Sequence, residues 1–303
     1  MASLRELRTK IKSVKSTEQI TKAMKMVAAA RMRKSQLAIL AARPFASRME
    51  RMVRELALLQ ESESLAAGAD AAAGLHPFFE KRAIESGAEL LILVTGDKGL
   101  CGAFNSNVLR AGLEWFKARQ GKKVYCIAVG RKGRDMVHRL RGYDIEVVNE
   151  LVGVFPKIAF THAEIVGQAA VDAYLNKGVS KVTVLYNEFK SVAQQRLLNA
   201  ALLPVPAPEV VPEAVALPDY GFEPSRPELL AALLPRFIKA QVYRILLESQ
   251  AAELAARMNA MDAASKNAKE LREALNLSAN RTRQAAITKE IAELVGGAEA
   301  LAA

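Results

Sequence analysis

The sequence predicts a mixed α/β protein in which two long terminal helices pair into a rod and a compact α/β domain lies between them in the chain. Three observations carry this. Residues 1–43 contain neither Gly nor Pro, and residues 236–295 contain neither as well. At about 1.5 Å per residue the second run alone could span roughly 90 Å. Between them the periodicity changes to short apolar runs bounded by glycine, alternating with helical stretches. Finally, eight of the eleven prolines fall between Pro204 and Pro235, a segment that cannot be regular structure and so reads as an extended connection.

The first helix has a clear start. Ser3 followed by Glu6 fits a capping box, in which each side chain bonds the other's backbone N–H. Apolar residues recur near a seven-residue spacing at Leu4, Leu7, Ile11, Val14, Ile20, Met24 and Val27. Ser16 and Thr17 are candidate kink sites and Pro44 a candidate bend, after which Met49, Met52, Val53 and Leu56 carry the pattern to about Leu59. We therefore expect an N-terminal rod helix over 1–60 and a loop over 61–75. The α/β domain is expected over 76–203, with residues to about 215 folding without the terminal helices. Its strands are expected at 89–95, 123–129, 144–148 and 180–189, with a hairpin partner at 191–198. Helices are expected at 105–120, 131–141 and 162–176. This alternation predicts a mainly parallel sheet. A Pro-rich connection fills 204–227. The last helix occupies 228–303 and starts near Ser225, where Glu228 offers a second capping box. Pro235 is a candidate kink, and the Gly296-Gly297 pair marks the end of the breaker-free run. Its apolar stripe reads Val242, Ile245, Leu254, Met258, Met261, Leu271, Leu275, Ile287, Ile291 and Leu294. Dense alanines between 251 and 268 allow close helix approach.

Composition narrows the function. Of the formal charge of +11, residues 1–60 hold 14 Lys/Arg against 4 Asp/Glu, whereas residues 61–235 are nearly balanced. A basic first helix suits a nucleic acid, an anionic membrane or acidic partner proteins. Phe45 is the only aromatic residue among the first 60, so no base-stacking platform is present there. Cys101 and Cys126 form no CxxC pair and fit a reducing compartment. His76, His138 and His162 are scattered, without metal-ligand spacing, and neither a signal core nor an eighteen-residue apolar run is visible. The sequence thus predicts a soluble protein, peripheral to a membrane if associated with one, with no metal and no cofactor.

The most enzyme-like feature is VTGDKGLCGAFN (94–105), a strand, a Gly-rich turn and a helix. Such a turn can cradle phosphate on backbone N–H groups. It lacks the Lys-Ser/Thr ending of a P-loop, and Gly96-x-x-Gly99-x-x-Gly102 is not the dinucleotide spacing. Asp97, Lys98 and Cys101 could serve as base, cation and nucleophile, yet no motif joins them to a histidine, and a lone cysteine after a strand more often packs in a core. Arg281, Arg283, Gln284 and Thr288 near the C-terminus are the other candidates, weighed against a solvated helix face.

At three places in the right order the sequence resembles the γ subunits of F-type ATP synthases. These are ITKAMKMVAAARMRKSQ (20–36), GDKGLCGAFN (96–105), and the pair ESQAAELAARMNAMDAASKNA (248–268) and NRTRQAAITKEIAELVGGAEA (280–300). The last contains Ile287-Thr288-x-Glu290-x-x-Glu293. The resemblance implies an antiparallel coiled coil of the terminal helices plus a central Rossmann-like α/β domain, together forming the rotor shaft. Its implied partners are the α and β subunits, the ε subunit and the membrane c-ring. Its implied role is to couple proton or sodium flow to ATP synthesis on β, with no catalysis of its own. Residue for residue, it implies β-subunit contacts at Arg283, Gln284, Thr288, Glu290 and Glu293, and a neck at Met24 and Arg257. It also implies the cytoplasmic face of a bacterial inner membrane, since no import presequence is visible. The cysteine-bearing insertion of chloroplast relatives is absent. The alternative is a basic coiled-coil scaffold that binds nucleic acid or an anionic membrane.

Overall fold

The computed structural model describes residues 3–67, 77–79, 87–205 and 226–302. Elements follow in the order α1 (Leu4–Ala67), β1 (Ala88–Val94), α2 (Phe104–Lys117), β2 (Val124–Val129), α3 (Arg131–Val137), β3 (Ile145–Leu151), α4 (Phe160–Asn176), β4 (Val179–Phe189), β5 (Gln195–Leu203) and α5 (Arg226–Ala302). The capping box forms as expected: Ser3 N–H donates to Glu6 Oε2 at 3.2 Å, and Glu6 N–H donates to Ser3 Oγ at 3.3 Å. α1 outruns its expected limit, whereas α5 closely matches the expected 228–303. α1 passes through Pro44 and reaches Ala67, through residues expected to start a loop. α5 continues through Gly296 and Gly297, which cost helix propensity without ending it. Ser225, the expected cap of α5, and most of the Pro-rich connection lie outside the described residues.

The chain divides into two compact units, one of Met1–Ala29 with Arg257–Ala303 and one of Ala30–Ala256. In the second unit the five strands run in the order β3-β2-β1-β4-β5. β1 pairs in parallel with both β2 and β4, β2 with β3, and β5 closes the edge antiparallel to β4. The hairpin was expected at 191–198; instead a turn fills 191–194, with Gln194 N–H donating to Ser191 O, and the strand starts at Gln195. β1 and β2 are buried almost end to end, as a parallel sheet covered on both faces requires. On one face a core formed by Leu90, Ile92, Tyr125, Ile127 and the α4 residues Val166, Ala170 and Tyr174 is completed from outside the α/β segment. Val53 and Leu56 of α1 join it, as do Leu230, Leu234, Ile238, Val242, Ile245 and Leu246 of α5. The other face packs Leu91, Leu93 and Cys126 against Val108, Trp115 and Phe116 of α2. At the end of β2, Gly130 holds φ +89°, and a Cβ there would stand 2.0 Å from Thr95 O. Only glycine fits that position.

In the first unit the helical pair is antiparallel, since Lys25 meets Asp262 whereas the earlier Glu18 meets the later Arg272. Most buried or half-buried positions of α1 in this unit fall in two seven-residue series, at Leu7, Val14, Thr21 and Ala28 and at Leu4, Ile11, Glu18 and Lys25, with Met24 half-buried beside them. α5 answers with Met261, Ala268, Leu275 and Thr282 and with Met258, Ser265, Arg272 and Ala279. This corrects the stripe expected from apolar residues alone. Ile20 and Val27 are exposed, and so is Leu271. Following hydrophobicity shifted the α1 reading off the seam where polar residues occupy seam positions.

Candidate functional site

Beyond Thr282 the character of α5 changes. Every residue from Arg283 to Ala298 is exposed, including Ile287, Ile291, Leu294 and Val295, which lie 48 to 75% open. The stripe expected to pack against the N-terminal helix at Ile287, Ile291 and Leu294 is therefore bare within the chain. The reason is length. With Glu18 opposite Arg272 and Lys25 opposite Asp262, α1 starts near the level of Arg283–Ala286, and beyond that level α5 has no opposing helix among the described residues. Arg283, Gln284, Thr288, Glu290 and Glu293 all present themselves to solvent on this overhang. Glu293 also takes an i,i+4 ion pair from Lys289 at 3.4 Å.

Met24 and Arg257 are both half-buried. Next to Met24, Lys25 Nζ bonds Asp262 Oδ1 at 2.6 Å, and Lys266 Nζ reaches Asp262 Oδ2 at 3.0 Å. The Lys25 bond, then that of Lys266, holds the Asp262 carboxyl below its ordinary range. Arg272 meets Glu18 at 3.3 Å, with the two side chains only 27 and 20% exposed. Sequence reasoning missed these clamps. Their signal was legible in Glu18, Lys25 and Arg272, charged residues at positions of the seven-residue repeats.

The Gly-rich turn is a structural junction. Asp97 is buried and its carboxylate accepts three backbone N–H groups: Arg131 at 3.0 Å, Gly153 at 2.9 Å and Phe155 at 3.4 Å. It thereby ties the loops after β1, β2 and β3 together. Asn105 does the same locally, accepting Gly96 N–H at 2.8 Å and donating to Lys98 O at 3.0 Å. The Cys101 thiol is buried and takes a contact from Asn105 Nδ2 at 3.2 Å. The drafted base is thus spent on backbone donors, Lys98 points into solvent, and Cys101 is packed. Cys126 lies in the core, where burial pushes its thiol up to about 12. A thiol that stays protonated is a poor nucleophile.

A second polar group sits where α5 crosses the sheet. Glu248 accepts from Tyr186 Oη at 3.3 Å, and burial raises both groups above their ordinary values. Nearby, Gln250 Nε2 donates to Phe155 O at 2.6 Å and Ser35 Oγ approaches Gln250 Oε1 at 3.2 Å. These bonds fix α5 over the carboxyl ends of the strands. No group of His, Cys, Asp and Glu among the described residues could hold a metal ion.

This arrangement can be set beside known proteins. A family model described as ATP synthase matches residues 3–301. Two curated relatives, both named ATP synthase gamma chain, match along nearly the full length of both partners. That of Elusimicrobium minutum is 43% identical over 99% of each chain. That of Desulforamulus reducens is 44% identical over 99% of this chain and 100% of its own. This chain belongs to the ATP synthase gamma-chain family. Among solved structures, the central stalk and c-ring structure of Tetrahymena thermophila mitochondrial ATP synthase contains a chain with a TM-score of 0.59 and 26% identity, covering 81% of this chain and 99% of its own. A chain of the Euglena gracilis mitochondrial enzyme reaches a TM-score of 0.65 over 98% of this chain and 94% of its own; at 20% identity it supports the fold alone. The family's mixed α/β domain and terminal helices are therefore both present here.

Proposed function

We propose that this gamma chain is the rotating shaft that couples ion flow through a membrane c-ring to ATP synthesis at α and β subunits. The carrying observation is the overhang of α5. Sixteen consecutive exposed residues, with a stripe of four large apolar side chains, need a partner that the described residues do not supply. A surrounding ring of α and β subunits would cover it. On this reading Arg283, Gln284, Thr288, Glu290 and Glu293 meet β inside the ring, and Met24 and Arg257 belong to the neck. The α/β domain, over about 76–203, is the foot against ε and the c-ring. Nucleotide chemistry resides on β, so this chain holds no catalytic residue and needs no cofactor. No helix among the described residues is long and apolar enough to cross a membrane. A peripheral position on the cytoplasmic face of a bacterial inner membrane fits that observation.

Paired helices suit transmission. An alanine-rich seam gives a thin shaft, and a basic surface next to acidic loops gains Coulomb attraction that changes gradually with angle. The test is co-expression with the α, β and ε subunits of one bacterial operon. We expect one complex that hydrolyses ATP and, with its membrane sector, pumps ions. A chain that stays apart from α and β, or a complex that hydrolyses ATP equally well without it, would refute the shaft role.

A further inference from the structure

The α/β domain is nearly neutral overall but its charge is not evenly spread. The four parallel strands all start at one edge, and their pairing sets Ile145, Val124, Glu89 and Lys181 in a row. At about 4.8 Å between strands this row spans roughly 14 Å. Cations crowd it: Arg141 before β3, Lys122 and Lys123 before β2, and Lys177 and Lys181 around the start of β4. The opposite, carboxyl edge is the one that Gln250 of α5 covers through its bond to Phe155 O. The amino edge faces away from that contact.

The acids on this rim do not balance it. Glu89 is taken by Arg119, which binds it through two N–H groups at 2.8 and 2.9 Å. Glu146 is shared by Lys123 at 2.8 Å and Lys177 at 2.5 Å, two cations on one carboxylate. Asp144 also stands here, just before β3. Lys122, Arg141 and Lys181 have no ion-pair partner among the described residues, and Lys122 and Arg141 are exposed. Strand starts aligned in register hold these cations within a short span of one another, so they can meet a plane of negative charge together. Lys and Arg stems are long enough to level small differences in height.

We propose that this amino-terminal rim is a docking surface for anionic phospholipid headgroups. The proposal deepens the shaft reading, which already puts the α/β domain near a membrane, by giving that domain a direct lipid contact. It also places the membrane-facing charge on the rim and not on the more basic α1.

The test uses the full chain and cosedimentation with vesicles of phosphatidylcholine, alone or containing phosphatidylglycerol. The triple variant Lys122→Ala, Arg141→Ala, Lys181→Ala is compared with Lys10→Ala, Lys12→Ala, Lys15→Ala on the exposed face of α1. At about fivefold per cation near an anionic surface, the rim triple should lose roughly a hundredfold in affinity for the phosphatidylglycerol vesicles. The α1 triple should lose markedly less, and added salt should weaken the native chain towards the rim variant. Far-UV circular dichroism should show both variants folded. The proposal is overturned if phosphatidylglycerol adds no affinity, or if the α1 triple loses as much as the rim triple. It is also overturned if the rim triple keeps its vesicle affinity; loss of binding to a detergent-solubilised c-ring in that variant would then assign the rim to a protein. Assembly with α, β and ε is scored separately; its failure would refute the shaft reading and leave the vesicle result to judge the rim.

Discussion

Asp97 shows how a side chain that looks catalytic can be explained by where its bonds go. Three backbone N–H groups from two other loops converge on its carboxylate, so Asp97→Ala would strand buried donors. A charged acceptor shared among several donors is worth about 3 kcal/mol by the usual scale of charge-assisted bonds. We expect that loss in urea unfolding of the full chain, with Asp97→Asn between Ala and the parent because it keeps one acceptor oxygen. An unchanged midpoint for Asp97→Ala would mean that water replaces the carboxylate. At the overhang the logic is reversed. Arg283 and Gln284 are exposed and lie outside every described core cluster, so the double change to Ala should leave the isolated chain's melting temperature unmoved. In the assembled complex, loss of a charged hydrogen bond of roughly 1.5–3 kcal/mol should weaken assembly and slow turnover. Arg283→Lys should recover only part, since it keeps the charge but not the planar fork. Assembly and turnover at the parental rate in the double variant would mark these residues as a plain solvated face.

The helical pair depends on register, and its seam explains what the sequence did and did not disclose. Long helices were legible because breakers are absent, and the sheet was legible because apolar runs alternate with glycine turns. The exact seam was not, because Glu18, Thr21 and Lys25 occupy positions that a hydrophobic reading skips. Small residues such as Ala28, Ala268 and Ala279 bring the helices close but interlock weakly, leaving register to the ion pairs. We expect Lys25→Glu or Asp262→Lys alone to lower the melting temperature and the double swap to restore much of it; swaps that simply add would refute pairing. The pH dependence has a defined sign. The folded carboxyl of Asp262 lies below its unfolded value, so its contribution is present above the unfolded range. It is lost as pH falls through the folded value. Asp262→Asn should therefore weaken the pair at neutral pH, and the difference should start to shrink as pH falls through the ordinary aspartate value of about 3.9 and vanish once pH is below the lowered folded value.

At the scale of the whole molecule, the sequence suggests an α/β domain that folds without its terminal helices, whereas its core draws side chains from both of them. Composition and periodicity report where elements start and stop, but not which apolar face closes a sheet. Here the closing faces come from both chain ends: Val53 and Leu56 from α1, and Leu230, Leu234, Ile238, Val242, Ile245 and Leu246 from α5. Each fully buried aliphatic side chain is worth about 1.5–3 kcal/mol. Removing eight of them therefore forfeits at least ~12 kcal/mol, within the whole net stability of an ordinary domain at ~5–15 kcal/mol. A fragment of residues 76–215 should consequently show no cooperative urea transition and should bind a hydrophobic dye. The same segment retained within residues 30–256 should unfold cooperatively, because that span keeps every one of these side chains. A sharp transition for 76–215 alone would mean that the sheet closes its own core, leaving the terminal helices as clients of the domain. If the fragment fails while 30–256 folds, the sheet and the stretches of α1 and α5 packed on it form one core. Those helix residues are then held to the sheet by close-packed side chains within the unit of Ala30–Ala256, where a displacement of one is felt by the other.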